Sequence, residues 1–115
     1  MEIKTEKKNT IVVFHVSGEL MGGDEIKVFQ DAIYEAIRDG LVSVVVEMSG
    51  VKWMNSSGLG MLMSGLTTLR GSGGDLRLAR VPDRVRRPIE ITRLDRVLQI
   101  HDTVEAAMDG FASGG

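Results

Sequence analysis

No cysteine occurs among the 115 residues, so a disulfide framework and a thiolate metal site are both excluded, as suits a reducing compartment. Histidine is almost as scarce: His15 and His101 stand far apart, no ligand-spacing motif surrounds either, and a metal site would need carboxylate help. No metal and no cofactor are therefore expected. Long apolar runs are missing too. Nowhere do about 18 apolar residues follow one another, and Met1-Glu2-Ile3-Lys4 has no apolar signal core, so neither a membrane span nor secretion is expected and the chain reads as cytoplasmic. There is little net charge of either sign, only −2, which argues against general nucleic-acid binding. Arginines outnumber acids between Arg70 and Arg96, a local excess that reads as a solvated face.

What is present is a 43% apolar composition in a length that suits one core. The reading is a single α/β domain over residues 1–111 with a flexible tail at 112–115. Ile3 to Thr5 and Ile11 to Val16 predict a hairpin around Lys7-Lys8-Asn9, ended by Gly18. Met21-Gly22-Gly23-Asp24 predicts a turn with Asp24 capping a helix whose stripe is Ile26, Phe29, Ile33 and Ile37, stopped at Gly40. Val42, Val44, Val45 and Val46 form the near-continuous β-branched run of a strand covered on both faces. Leu59, Leu62, Met63, Leu66 and Leu69 then recur at helical spacing, so Val44, Val46, Leu62 and Leu66 are expected in the core.

Beyond the stop at Gly71 to Gly74, Asp75 to Arg80 predicts a strand, Pro88 to Thr92 a short helix, and Val97 to Ile100 the last strand. Asp102 with Glu105 predicts the capped start of a final helix through about Phe111. Alternating strands and helices with short connections give a mostly parallel mixed sheet with an antiparallel edge hairpin and about four helices.

Between the valine strand and the leucine helix lies Trp53-Met54-Asn55-Ser56-Ser57-Gly58-Leu59-Gly60. This is a strand-to-helix loop on the carboxyl edge of the sheet, where α/β sites occur. Ser56 and Ser57 fall in the first helical turn, where unpaired N–H groups and the helix dipole would receive a phosphate. The plainest reading makes Asn55 or Ser56 an N-cap. A binding or modification surface also accounts for Gly58 and Gly60, which keep the surface small. A dinucleotide fingerprint fails because Met63 occupies the third glycine position. A hydrolase reading with His101 and Asp102 lacks a nucleophile elbow, so no catalytic residue is assigned. Trp53 reads as a core anchor beneath the loop.

The stretch Ser49-Gly50-Val51-Lys52-Trp53-Met54-Asn55-Ser56-Ser57-Gly58-Leu59-Gly60, with Gly18-Glu19-Leu20 and Val85 to Val97, resembles the signature of STAS domains, specifically the bacterial anti-anti-sigma factors, or anti-sigma factor antagonists. The resemblance implies a non-enzymatic partner switch. Ser56 would be phosphorylated by a serine kinase that is also the anti-sigma factor, and a PP2C-type phosphatase would reverse it. The unphosphorylated form would bind the kinase, and the partner surface would comprise Gly18, Leu20, Gly22, Asp24, Asn55, Ser56, Ser57, Gly58 and Gly60. An alternative is a constitutive STAS subunit of a larger assembly. The family commonly carries Asp where this chain has Asn55 and Met21. Restoring the carboxylate with Asn55→Asp is accordingly expected to speed phosphorylation with almost no change in melting temperature. No nucleic acid or membrane partner is implied.

Overall fold

A computed structural model describes residues 1–114, with side chains through residue 111; the tail expected at 112–115 falls outside the residues whose side chains are described. Strands β1 (Glu2–Lys8), β2 (Ile11–Leu20), β3 (Ser43–Met54), β4 (Asp75–Ala79) and β5 (Ile100–His101) alternate, after the opening hairpin, with helices α1 (Asp24–Arg38), α2 (Ser56–Gly71), α3 (Asp83–Ile91) and α4 (Val104–Gly114). The sheet order is β1-β2-β3-β4-β5, antiparallel between β1 and β2 and parallel elsewhere. The α/β class with an antiparallel edge is as the sequence predicts.

The valine run explains the layering. Val44 and Val46 face a core shared with Phe29 and Ile33 of α1, Leu62 and Leu66 of α2, and Val85 and Ile89 of α3. Val45 points the other way, to a smaller cluster with Val13, Ala79, Val104 and Ala107 beneath α4. A strand needs apolar residues at every position only when both faces are covered. Val44, Val46, Leu62 and Leu66 are all buried as expected.

Several boundaries differ from the sequence reading. β1 continues through Lys8, and the hairpin turns at Asn9, whose φ of 58° is left-handed. Gly18 does not end β2; it sits inside the strand at φ +93°, beside a register shift between Gly18 and Glu19, because β3 extends to Met54 and supplies a ladder partner as far as Leu20. Asp24 does not cap α1. Gly23 holds that position without a side-chain bond, and the Glu25 carboxylate instead accepts the Met21 N–H at 3.1 Å and pairs with the N-terminal ammonium at 2.6 Å.

α3 starts at Asp83 rather than near Pro88, since Val85 and Ile89 make an i, i+4 pair for the core and the proline forfeits only one helical N–H. Val97 and Leu98 are not in the last strand. Both donate N–H groups to Leu94 O, closing a tight turn, and pairing with β4 begins only where Gln99 O accepts the Leu78 N–H and Ile100 stands opposite Leu78. At α4 the cap is Thr103, whose hydroxyl accepts the Ala106 N–H at 3.0 Å, and not Asp102. No described helix is long and apolar enough to cross a membrane. In the arginine-rich stretch Arg84 and Arg87 are exposed, and Arg86 pairs with Glu90 at 3.5 Å.

Candidate functional site

The carboxyl ends of β2 and β3 meet at one loop cluster. Asn55 N–H donates to Leu20 O at 3.2 Å, continuing the ladder by one rung beyond the strands. The Asn55 side chain then does two things. Its Oδ1 accepts the Gly58 N–H at 2.9 Å, the N-cap bond of α2, and its Nδ2 donates to Met21 O at 3.1 Å. One amide thus fixes the start of α2 and fastens it to the loop leading into α1.

Packing reinforces the junction. A Cβ on Gly58 would lie 2.2 Å from Leu20 O, so only glycine lets the first turn of α2 approach β2 this closely. Gly22, at φ +89°, would place a Cβ 2.7 Å from Ser57 Cβ. Leu20, Gly22 and Gly58 are accordingly buried and shape the loop from beneath, whereas Asp24, Ser56, Ser57 and Gly60 are exposed and Asn55 is half-buried. Gly60 has open space around its Cβ direction. Gly18 lies further down β2, against Met1. Ser57 is held over Gly22, and Ser56 occupies the first helical position facing solvent.

Trp53 is not a core anchor. It is 50% exposed, because Met54 takes the inward position at the end of β3 and alternation turns Trp53 outward. Its indole N–H donates to Glu19 at 3.0 Å, the residue paired with it across β2 and β3. Met21 and Ile26 are also exposed beside the loop. The sequence reading missed Glu25 and Glu19, which serve this cluster. Glu25 stands four residues after Met21, a reach that a carboxylate can span to an unpaired N–H; Glu19 becomes legible only once the register is known.

The Asn55 geometry revises one expectation. In Asn55→Asp the donor to Met21 O is lost and a carboxylate oxygen faces a carbonyl oxygen instead. The bond is solvent-exposed, so its loss costs about the net worth of an ordinary hydrogen bond, about 0.5–1.5 kcal/mol, and the melting temperature is expected to fall slightly rather than stay constant. Thermal unfolding of Asn55→Asp beside the parent checks this, and an unchanged midpoint would show that the Met21 bond contributes nothing.

Away from the loop, His15 bridges two carboxylates on the face of the sheet that carries α4. Nδ1 lies 3.0 Å from Glu47 Oε1 and Nε2 lies 2.8 Å from Glu6 Oε1. The bonds to Glu47 and then Glu6 raise the His15 pKa above its ordinary 6.5, against burial, which lowers it. Glu6 is lowered chiefly by His15. Burial pushes Glu47 up, but the Ser49 side chain, then His15, then the Ser49 backbone N–H, which reaches it at 2.6 Å, leave it net lowered.

A raised histidine stabilises the fold fully below its unfolded value and loses that contribution as pH climbs through the folded one. The melting-temperature advantage of the parent over His15→Gln is therefore expected to be largest between the ordinary carboxylate value of 4.5 and the ordinary histidine value of 6.5, and to shrink above it. A pH-independent difference would remove the ion pairs from the account. His101 behaves oppositely: burial, then the nearby Arg77, lowers its pKa, and its Nε2 lies 3.2 Å from Arg77 Nη1. It is engaged by a buried arginine, not by a nucleophile.

Among the described residues no cluster of His, Cys, Asp and Glu could hold a metal ion.

The STAS domain family matches residues 2–107. An anti-sigma-B factor antagonist of Listeria monocytogenes is 31% identical over 110 residues, 96% of this chain and 94% of the relative. A relative from Thermotoga maritima is 31% identical over 75 residues, so the match spans 65% of this chain and just under two thirds, 66%, of that protein. A crystal structure from the same organism superposes with a TM-score of 0.85 at 23% identity, covering 96% of this chain and 94% of the other. The anti-sigma factor antagonist SpoIIAA in its unphosphorylated form gives 0.73 at 19% identity, over 99% of this chain and 100% of SpoIIAA. The phosphorylated form gives 0.71 at 22%, over 94% and 97%. At these identities the structural matches speak to the fold.

Proposed function

Because this chain belongs to the STAS domain family, we propose that it is an anti-sigma factor antagonist that works by partner switching: with Ser56 unphosphorylated it binds a cognate anti-sigma factor that is also a serine kinase, and with Ser56 phosphorylated it lets go. A PP2C-type phosphatase resets it. The relative from Listeria monocytogenes bears the name of such an antagonist, and SpoIIAA has been solved in a phosphorylated form. The observation that carries the reading is the placement of an exposed Ser56 at the first position of α2, on a junction made rigid by Asn55 and Gly58.

That placement suits a reversible charge. The Gly58 N–H is already taken by Asn55, but those of Ser56 and Ser57 have no intrahelical partner, and the helix dipole is positive there. A phosphate on Ser56 can be accommodated without moving the loop. The partner surface in this reading is the exposed Ser56, Ser57, Gly60 and Asp24 with the half-buried Asn55 among them, Leu20, Gly22 and Gly58 setting its shape from beneath and Gly18 lying further down β2. No enzymatic step is assigned to this chain.

A second reading has a specific observation in its favour. The bond from Asn55 Nδ2 to Met21 O cannot be made by the carboxylate common in the family, so this loop is built around an amide. A constitutive STAS subunit of a larger assembly would need that rigidity and no phosphate. Intact mass of the protein after incubation with its cognate kinase and ATP separates the two. One added phosphate mapping to Ser56 supports the switch; an unmodified protein that still binds its partner supports the constitutive subunit.

A further inference from the structure

We infer that β1 is a self-association edge through which two copies of this chain join their sheets into one, strand against antiparallel strand, about a two-fold axis at Thr5. β1 is the outer strand of the sheet, paired on one side only. It is seven residues long, and such an edge offers a full row of backbone donors and acceptors. Edge strands avoid partners by being short, by carrying lysines or inward-pointing charges, or by a proline or bulge. β1 has no proline and its ladder with β2 is unbroken; Lys7 stands on the helix-covered face opposite Val12, while the charges of the other face, Glu2, Lys4, Glu6 and Lys8, alternate in sign.

The alternation is self-complementary. Ile3 and Thr5 pair with the buried Val16 and Phe14, so they stand on the helix-covered face, and Glu2, Lys4, Glu6 and Lys8 share the opposite face. In an antiparallel pair centred on Thr5, Glu2 faces the partner's Lys8 and Lys4 faces the partner's Glu6, with each contact repeated by the two-fold axis. Thr5 faces the partner's Thr5. Sliding by two residues in either direction destroys this: Glu2 then faces the partner's Glu6 and Lys4 the partner's Lys4, or Lys4 faces the partner's Lys8 and Glu6 the partner's Glu6. Opposite charges directly across a ladder stabilise and like charges destabilise, so among the registers that keep the helices of both copies on one face of the joined sheet this one is selected.

The side chains are free to make these pairs. Lys4 and Glu2 are 78% and 68% exposed and only loosely paired at 3.8 Å. His15 engages Oε1 of Glu6, which leaves the second carboxylate oxygen to accept from the partner. Because the joined strands run antiparallel, the two Ser56 loops of such a dimer lie at opposite ends of the continuous sheet, and neither is covered.

Charge exchange tests the register. An acidic-edge variant, Lys4→Glu with Lys8→Glu, and a basic-edge variant, Glu2→Lys with Glu6→Lys, each put like charges opposite one another. Sedimentation equilibrium up to millimolar protein should show the parent approaching twice the monomer mass. Each variant alone should dissociate at least about tenfold more readily, and an equimolar mixture of the two should regain the dimer as a heterodimer. Glu6→Lys removes a His15 partner, so circular dichroism must confirm that each variant is folded; if the basic-edge variant is not, the acidic-edge variant alone still decides. A parent that stays monomeric throughout, or a folded acidic-edge variant that dimerises as the parent does, overturns the proposal.

Discussion

Replacing Leu62 by alanine should lower the unfolding free energy by about 2–5 kcal/mol, the largest effect expected on stability. Leu62 is fully buried and belongs to the cluster that joins α2 to Val44 and Val46 of β3 and to Phe29 of α1. Truncation removes the transfer energy of the lost methyl groups and leaves a cavity that close-packed neighbours fill only in part. Chemical denaturation of parent and variant, with unchanged dependence on denaturant concentration, measures the difference. A value below about 1 kcal/mol would contradict the two-layer core on which α2 and its first turn are positioned.

Much of this architecture was legible in periodicity alone. The valine run of β3 and the leucine spacing of α2 are signals in which every apolar residue has one destination, and they delivered the layering and the position of the serine loop. What stayed illegible depended on partners distant in sequence. Gly18 reads as a strand end until β3 is seen to continue beside it. Trp53 reads as core until the parity of Met54 turns it outward, where Glu19 receives it.

Capping errors have a different origin. Asp24, Asp102 and Thr103 all have side chains able to cap, and the choice between neighbours is made by the entry angle of the chain, which tertiary packing sets. Pro88 misled for a related reason: the buried pair Val85 and Ile89 outweighed one missing N–H. At the site itself, the N-cap and the glycine requirement were visible, but that Gly58 is needed by Leu20 O, inside the chain, and not by a partner was not.

Phosphorylation of Ser56 should abolish partner binding while the fold persists. The modification adds about −1.5 to −2 charges at a helix N-terminus, where free N–H groups and the dipole tolerate them, so the melting temperature should change little. In the complex the same group must fit a surface shaped for a hydroxyl beside Gly60 and be stripped of water without gaining a cation. An unpaired charge at an interface costs about 2–5 kcal/mol, a loss of tens to thousands fold in affinity. Ser56→Ala should bind constitutively, Ser56→Asp weakly, and Ser57→Ala, whose hydroxyl sits over Gly22, should remain phosphorylatable.

The most direct measurement is calorimetric titration of the cognate anti-sigma factor with the unphosphorylated protein and with protein phosphorylated at Ser56. Tight binding of the first and at least about tenfold weaker binding of the second is the predicted result. Equal affinities, or a phosphate that maps to Ser57, would contradict the switch.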